Sequence, residues 1–373
     1  MIIKYKILFT LIFSCLFSVQ SFSKEVKKPL KVGIIGLTHT HVHWIFGSES
    51  RGDIKIEGIV EPNQKLAKNY SDQYNFSLDI VYSSIEEMFN EVNPEAVTAF
   101  GTIYEHLEVV EAAAPRGIHV MVEKPLAVNM EHALKMKSLA KKHNIHLLTN
   151  YETTWYPTTH KAYQLAKNEN FIGDIRKIMV NDGHKGPKKI GLNEEFLQWL
   201  TDPIQNGGGA ETDFGCYGVN ILTWFMDGKR PESITAILRQ FQPENNPKVN
   251  DESIILLNYD NSLAIIQGSW NWPIGRKDME IYGENGVIYA DNRNDLRIRI
   301  SKGYDKYEEQ VMHLKERNAP YDDPFALLGA VIRNEVQLNE YDLNSIENNI
   351  LVVEILDAAK KSAKLNKTIY MDK

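Results

Sequence analysis

Short apolar runs rich in β-branched residues recur at even intervals through the first half of the chain, at residues 31–36 (KVGIIG), 54–60, 80–82, 96–100, 119–122 and 146–149. The stretches between them carry apolar positions at helical spacing, so the pattern reads as strands alternating with helices. Local chemistry marks the helix ends. Ser84 and Glu87 make a capping box, residues 105–116 present one apolar face and close on Gly117, and Asn129 caps the run after it. This alternation predicts a doubly wound parallel sheet over residues 30–150. Beyond Tyr151 a helix over about 157–167 leads into longer apolar runs at 175–182, 233–240, 253–260 and 263–270. Asp260-Asn261 and Glu284-Asn285-Gly286 read as hairpin turns between such runs. Residues 151–373 therefore read as an α+β domain with a large open, mostly antiparallel sheet, ending in two helices near 323–334 and 345–365. Two such domains place a ligand in the cleft between them, above the carboxyl ends of the parallel strands.

Composition narrows the class. With 43% hydrophobic and 24% charged residues over 373 positions, the chain has globular composition and the length of two domains. A formal net charge of −7 argues against nucleic acid or an anionic membrane surface as partner, since either is met with a basic field. Residues 1–23 have a basic start, an apolar core over 7–19 and small residues at Ser21 and Ser23, the form of a secretory signal peptide. That core is shorter than the roughly 18 apolar residues a membrane span needs, and no later run is long enough. The expectation is export by a Sec-type route to the periplasm, with no transmembrane span. Phe13 is too bulky for the usual lipidation signal ahead of Cys15, which disfavours lipid anchoring. Once the leader is removed Cys216 is the one thiol left, so no internal disulfide is expected.

Three stretches carry candidate chemistry. The first strand ends in Gly36-Leu37-Thr38-His39-Thr40-His41, where a dinucleotide fold shows G-x-G-x-x-G; only Gly36 matches. Thr38 and His41 replace the glycines that let backbone approach a pyrophosphate and helix pack on strand. Glu61 closes the second strand, where an acid accepts the adenosine ribose hydroxyls and favours NAD over NADP. Taken alone, these residues also suit a tight turn and a solvated glutamate. His39, His41 and His43 raise a rival, because H-x-H after a first strand opens the metal sites of amidohydrolase-type barrels. A barrel keeps alternating strand and helix to its end, which the second half does not, so no metal is expected. The histidines are assigned instead to the start of the first helix and its phosphate-facing end.

Val122-Glu123-Lys124-Pro125 closes the fifth strand, where Lys124 overlooks the cleft. An ammonium there can hydrogen-bond a substrate hydroxyl, lower its pKa and stabilise the alkoxide; the plain alternative is an exposed lysine before a turn. GGGAETDFGCYGVN, residues 207–220, runs from a glycine loop into a helix on which Asp213, Tyr217 and Asn220 share one face. A carboxylate and a phenol one turn apart can orient a polyol and relay its proton, provided that Lys124 and a cofactor lower the phenol's hold on its own. The alternative is an aspartate cap and a packing tyrosine. Trp155, Trp199, Trp270 and Trp272 offer faces to pyranose rings, although large aromatics in a sheet domain are more often core. His184 and Lys185, in NDGHKGP, sit in a loop that either borders the cleft or is simply solvated.

From about residue 31 to the C-terminus the chain resembles the Gfo/Idh/MocA family. The likeness rests on KVGIIG, IVEPN, His106 after the fourth strand, GIHVMVEKPLA, GGGAETDFGCYGVN, the GSWNWP and MEIYGENGVI strands and the terminal EILDAAKKSAKLNKTIYM. It implies a Rossmann domain followed by an open-sheet substrate domain, and hydride transfer between NAD, or NADP, and a hydroxyl of a sugar, inositol or related polyol. It implies Lys124 as the catalytic lysine, Asp213 as the substrate-binding aspartate, and Tyr217 as acid/base where many members have His. Gly36, Thr38, His39, His41, Glu61, His106 and Glu123 are then the cofactor-binding set. Asn220, His184 and Trp272 are the substrate contacts. It further implies a homo-oligomer joined through the open sheet. The expectation as a whole is an exported oxidoreductase acting on a carbohydrate such as an oligosaccharide released in polysaccharide breakdown. NAD-dependent glycoside cleavage and a non-catalytic sugar-binding protein are the alternatives.

Overall fold

The structure is a computed structural model that describes residues 28–371; the leader and Cys15 lie outside the described residues. The first sheet holds β1 (Leu30–Ile35), β2 (Ile54–Val60), β3 (Val81–Tyr82), β4 (Ala96–Ala99), β5 (His119–Glu123) and β6 (Leu147–Asn150), in the order β3-β2-β1-β4-β5-β6 and parallel throughout. This is the doubly wound order that the strand and helix alternation predicts, with its switch point between β1 and β4. The carboxyl ends of β1, β4 and β5 therefore open onto one crevice. The third strand is one residue shorter than its pattern suggests, because a 3-10 turn, Leu78–Ile80, takes Ile80.

The second sheet holds β7 (Ile175–Gly183), β8 (Ser233–Arg239), β9 (Glu252–Asn258), β10 (Leu263–Ser269), β11 (Arg276–Gly283), β12 (Gly286–Ala290), β13 (Asp295–Ser301), β14 (Tyr307–His313) and β15 (Ile369–Tyr370). Their order is β14-β13-β12-β11-β7-β10-β9-β8-β15. Every pairing is antiparallel except β10 with β7. Alternation sets the faces: Ile178 on β7, Ala264 and Ile266 on β10, and Met279 and Ile281 on β11 are buried, while their sequence neighbours are less so.

Helices Gly215–Phe225 and Ile346–Leu365 cover that buried face. The second of these is shared between the two units. Ile350 and Val353 join the parallel-sheet core, while Val352, Ile355 and Leu356 join the open-sheet core. Helix Pro324–Ile332 packs on the opposite face of the parallel sheet through Phe325, Leu328 and Val331. Among the described residues no helix is long and apolar enough to cross a membrane.

Helix Gly215–Phe225 lies unusually close to the sheet, and glycine makes that possible at the contact itself. A Cβ on Gly218 would meet Ile266 Cγ2 at 2.5 Å, and one on Gly268 would meet the Gly215 backbone nitrogen at 2.5 Å. The second clash is with backbone, which cannot swing aside. Gly268→Ala is therefore expected to lower stability by about 1–3 kcal/mol, read from the midpoint of urea unfolding. An unchanged midpoint would show that the helix tolerates displacement.

Candidate active site

A cavity of about 550 Å³ lies between the carboxyl ends of the parallel strands and the inner face of the second sheet. Lys124, Asp213, Tyr217 and His184 all border it, together with His39 and His41. Lys124 follows β5 directly, and Asp213 ends the short helix Ala210–Asp213. The Lys124 ammonium donates to the Asp213 backbone oxygen at 2.9 Å and to its Oδ1 at 2.5 Å. Trp270 Nε1 donates to Oδ2 at 2.9 Å. Burial disfavours both charges. Lys124 and Trp270 nevertheless outweigh it and hold the Asp213 carboxyl at about 2, and Asp213 holds the lysine above its ordinary value.

Tyr217 lies one turn beyond Asp213, and its hydroxyl has no hydrogen-bond partner among the described residues. Lys277 Nζ stands 3.9 Å from the centre of its ring and Lys124 Nζ 5.2 Å. These cations do not by themselves free the phenolic proton; the sequence expectation joins Lys124 with a bound cofactor. Burial, followed by the nearby carboxylates of Glu152 and Asp182, drives the Tyr217 pKa well above its ordinary value, so the phenol stays protonated.

Glu152, Asp182 and Lys277 are charged residues that the sequence reading missed, as are Arg276, Asp291 and Arg293, which also border the cavity. Lys277 on β11 pairs in register with Asp182 on β7, and its ammonium lies 3.3 Å from Asp182 Oδ1 and 3.3 Å from Glu152 Oε2. Glu152 comes from the 3-10 turn after β6, and its Oε1 accepts from the Tyr156 hydroxyl at 2.5 Å. Burial opposes ionisation of Glu152, but Lys277 and Tyr156 prevail and lower its pKa. Asp182 behaves differently: burial raises it from 3.8 to about 7 despite Lys277. A signal for two of these residues was present in the chain. Lys277 and Asp182 share the parity of the buried positions on their strands, where a charge is out of place unless it is paired.

His39, His41 and Glu123 form a second polar cluster, with candidate ligand atoms within 4.8 Å of one another. Its hydrogen bonds do not suit a metal. His39 Nδ1 accepts the His41 backbone N–H at 3.1 Å, so the proton of this buried, neutral ring sits on Nε2, and a protonated nitrogen has no lone pair to give. His41 Nδ1 meets Glu123 Oε2 at 2.8 Å, and Asn150 donates to Oε1 at 2.7 Å. Burial opposes charge on Glu123 as well, yet His41 and His39 bring it to about 2.

On the other side of the residue 36–41 loop lies a cleft of about 290 Å³, bordered by Gly36, Glu61, Ser84, Thr102 and His106. Gly36 has φ +79°, and a Cβ there would come within 2.6 Å of the Gly101 nitrogen. Glu61 accepts from the backbone N–H groups of Leu37 at 3.0 Å and Asn63 at 2.9 Å, which fixes its carboxylate at the end of β2. His106 Nδ1 bonds the Leu126 carbonyl at 3.1 Å, and its buried Nε2 has no partner. An orphaned acceptor, a glycine cradle and an acid at the end of β2 fit the adenosine half of a dinucleotide. Thr38 takes a different part from the glycine it replaces: its hydroxyl donates to the Phe100 carbonyl and accepts from Trp199 Nε1 at 3.0 Å.

Some expected substrate contacts are not made. Asn220 is wholly buried away from the cavity, donating to the Leu343 carbonyl and Asn349 Oδ1, because its helix face turns toward helix Ile346–Leu365. Trp272 does not border the cavity; its indole N–H reaches the Asp182 carbonyl and its ring lies under Arg276. Trp155, Trp199 and Trp270 are buried, and each donates its indole N–H to a residue of the site framework. His184 does face the cavity, with Nδ1 accepting from the Gly186 N–H, so its neutral ring presents a donor there.

Comparison with known proteins agrees with this geometry. A family model described as the oxidoreductase family with an NAD-binding Rossmann fold, GFO_IDH_MocA, matches residues 30–151, and the GFO/IDH/MocA C-terminal domain matches residues 160–289. Trans-1,2-dihydrobenzene-1,2-diol dehydrogenase of Xenopus tropicalis is 26% identical over 239 residues, 63% of this chain and 67% of that protein. Myo-inositol 2-dehydrogenase of Thermotoga maritima is 21% identical over 349 residues, 92% of this chain and 99% of that protein. Among solved structures, the aldose-aldose oxidoreductase from Caulobacter crescentus complexed with glycerol has a TM-score of 0.77 at 18% identity, covering 92% of this chain and 100% of that one. An inositol dehydrogenase homolog complexed with NAD+ from Azotobacter vinelandii has a TM-score of 0.77 at 17% identity, covering 94% and 99%. At these identities the structural likeness is one of fold.

The raised Asp182 carboxyl gives a signed prediction. Its folded pKa exceeds its unfolded one, so its contribution to stability is complete below about pH 4 and falls as pH rises through about 7. Asp182→Asn lacks that loss. Its stability relative to wild type should climb by about 1.4 kcal/mol per pH unit up to pH 7 and then level off, measured by urea unfolding from pH 5 to 8. A pH-independent difference would show that Asp182 titrates in the ordinary range.

Proposed function

The chain belongs to the Gfo/Idh/MocA family of NAD-binding oxidoreductases, and on that footing we propose that it is an exported enzyme that moves hydride between NAD and a hydroxyl of a sugar or oligosaccharide, in polysaccharide breakdown. The observation that carries the reading is the Lys124–Asp213 pair with the open Tyr217 hydroxyl, beside a cleft whose residues fit a dinucleotide. Gly36, Glu61 and His106 would hold NAD, which when bound supplies the hydride acceptor. The protein's own groups do the rest. Lys124 has three N–H donors, of which two are engaged by Asp213, leaving one for a substrate oxygen. Its charge lowers the pKa of a bound hydroxyl and stabilises the alkoxide. Tyr217, kept protonated, is set to give its proton to the oxygen of a carbonyl being reduced, whereas oxidation of a hydroxyl needs the phenolate, which burial beside Glu152 and Asp182 opposes.

Export rests on the form of residues 1–23, and an outer sheet face carrying Ile237, Ile254 and Leu263, each at least 38% exposed, supports a second copy there. A non-catalytic sugar-binding role draws on one observation, the Trp199–Thr38 bond across the loop where a pyrophosphate would lie.

One experiment separates these readings. The chain from Lys24 onward, purified and denatured, should release NAD detectable by mass spectrometry, or take it up on incubation with NAD. No uptake of NAD or NADP would leave the binding protein. In the loaded enzyme Lys124→Ala and Tyr217→Phe should each lower kcat at least about 100-fold. Light scattering should show an oligomer, and a monomer would remove the second copy.

A further inference from the structure

A separate cavity, of about 250 Å³, shares the turn Glu152–Trp155 with the active-site cavity: Glu152 borders the one, Thr154 and Trp155 the other. Trp155, Trp224, Leu327, Val336 and Leu338 give it apolar walls, and Arg317 brings a cation to it. Arg317 is half-buried in the segment between β14 and helix Pro324–Ile332, and it meets no carboxylate among the described residues. Arg276 and Arg293, at the active-site cavity, each fork onto one, Asp278 and Glu316. The hydrogen bonds of Arg317 all run instead through one nitrogen. Nη1 faces the Tyr321 carbonyl at 3.1 Å, His160 Nε2 at 2.9 Å and the Thr154 carbonyl at 3.4 Å. It has two hydrogens for those acceptors, while Nε and Nη2 have no partner among the described residues. The Tyr321 ring centre, 5.0 Å from Cζ, offers the charge an aromatic face but no hydrogen-bond acceptor. Burial outweighs Tyr321 and Asp322 and sets the guanidinium below its ordinary pKa, as expected of a cation whose lost hydration is not compensated.

His160 shows the same shortage from the other side. Its Nε2 lies 2.8 Å from the Thr154 carbonyl, which needs a donor, and 2.9 Å from Arg317 Nη1, which is always one. Burial and the neighbouring guanidinium bring the ring to about 4, so it is neutral and Nε2 serves one of these neighbours only. An anion that draws Arg317 toward itself removes the conflict, because Nε2–H then donates to Thr154 unopposed. Shape and charge select the anion. Nε and Nη2 present parallel N–H bonds along one edge of the guanidinium, and the two oxygens of a carboxylate match that edge. The apolar walls suit a short hydrocarbon chain behind it. Asp342 also borders the cavity, with Oδ2 held by the Asn339 N–H at 2.6 Å, and its charge disfavours a dianion such as phosphate. We propose that this cavity binds a small organic monocarboxylate through Arg317, at a site distinct from that of the reaction. The proposal does not depend on the hydride-transfer reading.

The test uses butyrate, with butanol as the same chain without the charge and inorganic phosphate as the rival anion. Each is titrated calorimetrically into the full protein at constant chloride. Butyrate is expected to bind with a dissociation constant of about 1 mM or below, and at least about tenfold more tightly than either control. Arg317→Lys keeps a charge and loses the fork. Leu338→Trp fills the cavity from a partly exposed position and leaves Arg317 in place. Each is expected to weaken butyrate binding at least about tenfold. Urea unfolding of the variants reports whether they fold; should Arg317→Lys release the segment that Arg317 ties to Thr154, Leu338→Trp carries the test alone. Absence of saturable butyrate binding, equal binding of butanol, tighter binding of phosphate, or butyrate binding that survives Leu338→Trp would each overturn the proposal.

Discussion

A buried lysine stays charged only if something nearby repays the loss of water, and in this molecule Asp213 does so for Lys124. The pair ties three elements to one point. Lys124 ends β5 of the parallel sheet, Asp213 ends a helix laid on the open sheet, and Trp270 follows β10 and donates to the second carboxylate oxygen. Neither charge has a cheap alternative, since removing one partner from such a pair typically costs about 3–5 kcal/mol by leaving the other uncompensated. The relative placement of the two units at the cleft is held by this contact from within and by helix Ile346–Leu365, shared between both cores, from without.

The same logic repeats around the cavity. Lys277 is paired with Glu152 and Asp182, His41 with Glu123, and each arrangement joins residues far apart in the chain. These pairings explain why Tyr217 keeps its proton. The cations lie over its ring face, where they attract the π system, while Glu152 and Asp182 supply negative charge that disfavours phenolate. Such a phenol keeps its proton until a stronger base, such as an alkoxide, forms beside it.

The altered glycine loop has a structural account as well. Where the common motif uses bare backbone, this chain uses side chains. Thr38 binds the end of β4 and the helix Glu194–Leu200 through Trp199, and His39 packs 4.7 Å from Phe196 on that helix. The loop is thereby fastened to the second unit, which a glycine at position 38 would not do.

The order of the parallel sheet, the open character of the second sheet and the positions of Lys124, Asp213 and Tyr217 were legible in the chain, because strand period, caps and the EKP and GGG stretches are local patterns. The helices Pro187–Ile190 and Glu194–Leu200 were not, since four and seven residues are too few to show a period. Helical spacing put Asn220 beside Tyr217, yet a helix packed between a sheet and another helix buries both sides, and Asn220 fell on the wrong one. The tryptophans were legible as large and buried, but not as donors to the site. Lys277 and Asp182 could be marked as charges at buried parity, while Glu152, in a turn, could not, and none could be joined because they lie in three separate segments. Sequence by itself determined which elements form and which residue types stand at their ends. Only the tertiary structure decided which charges meet, since the energy of a buried charge depends on what is within a few ångströms of it in space and not on what is near it in the chain.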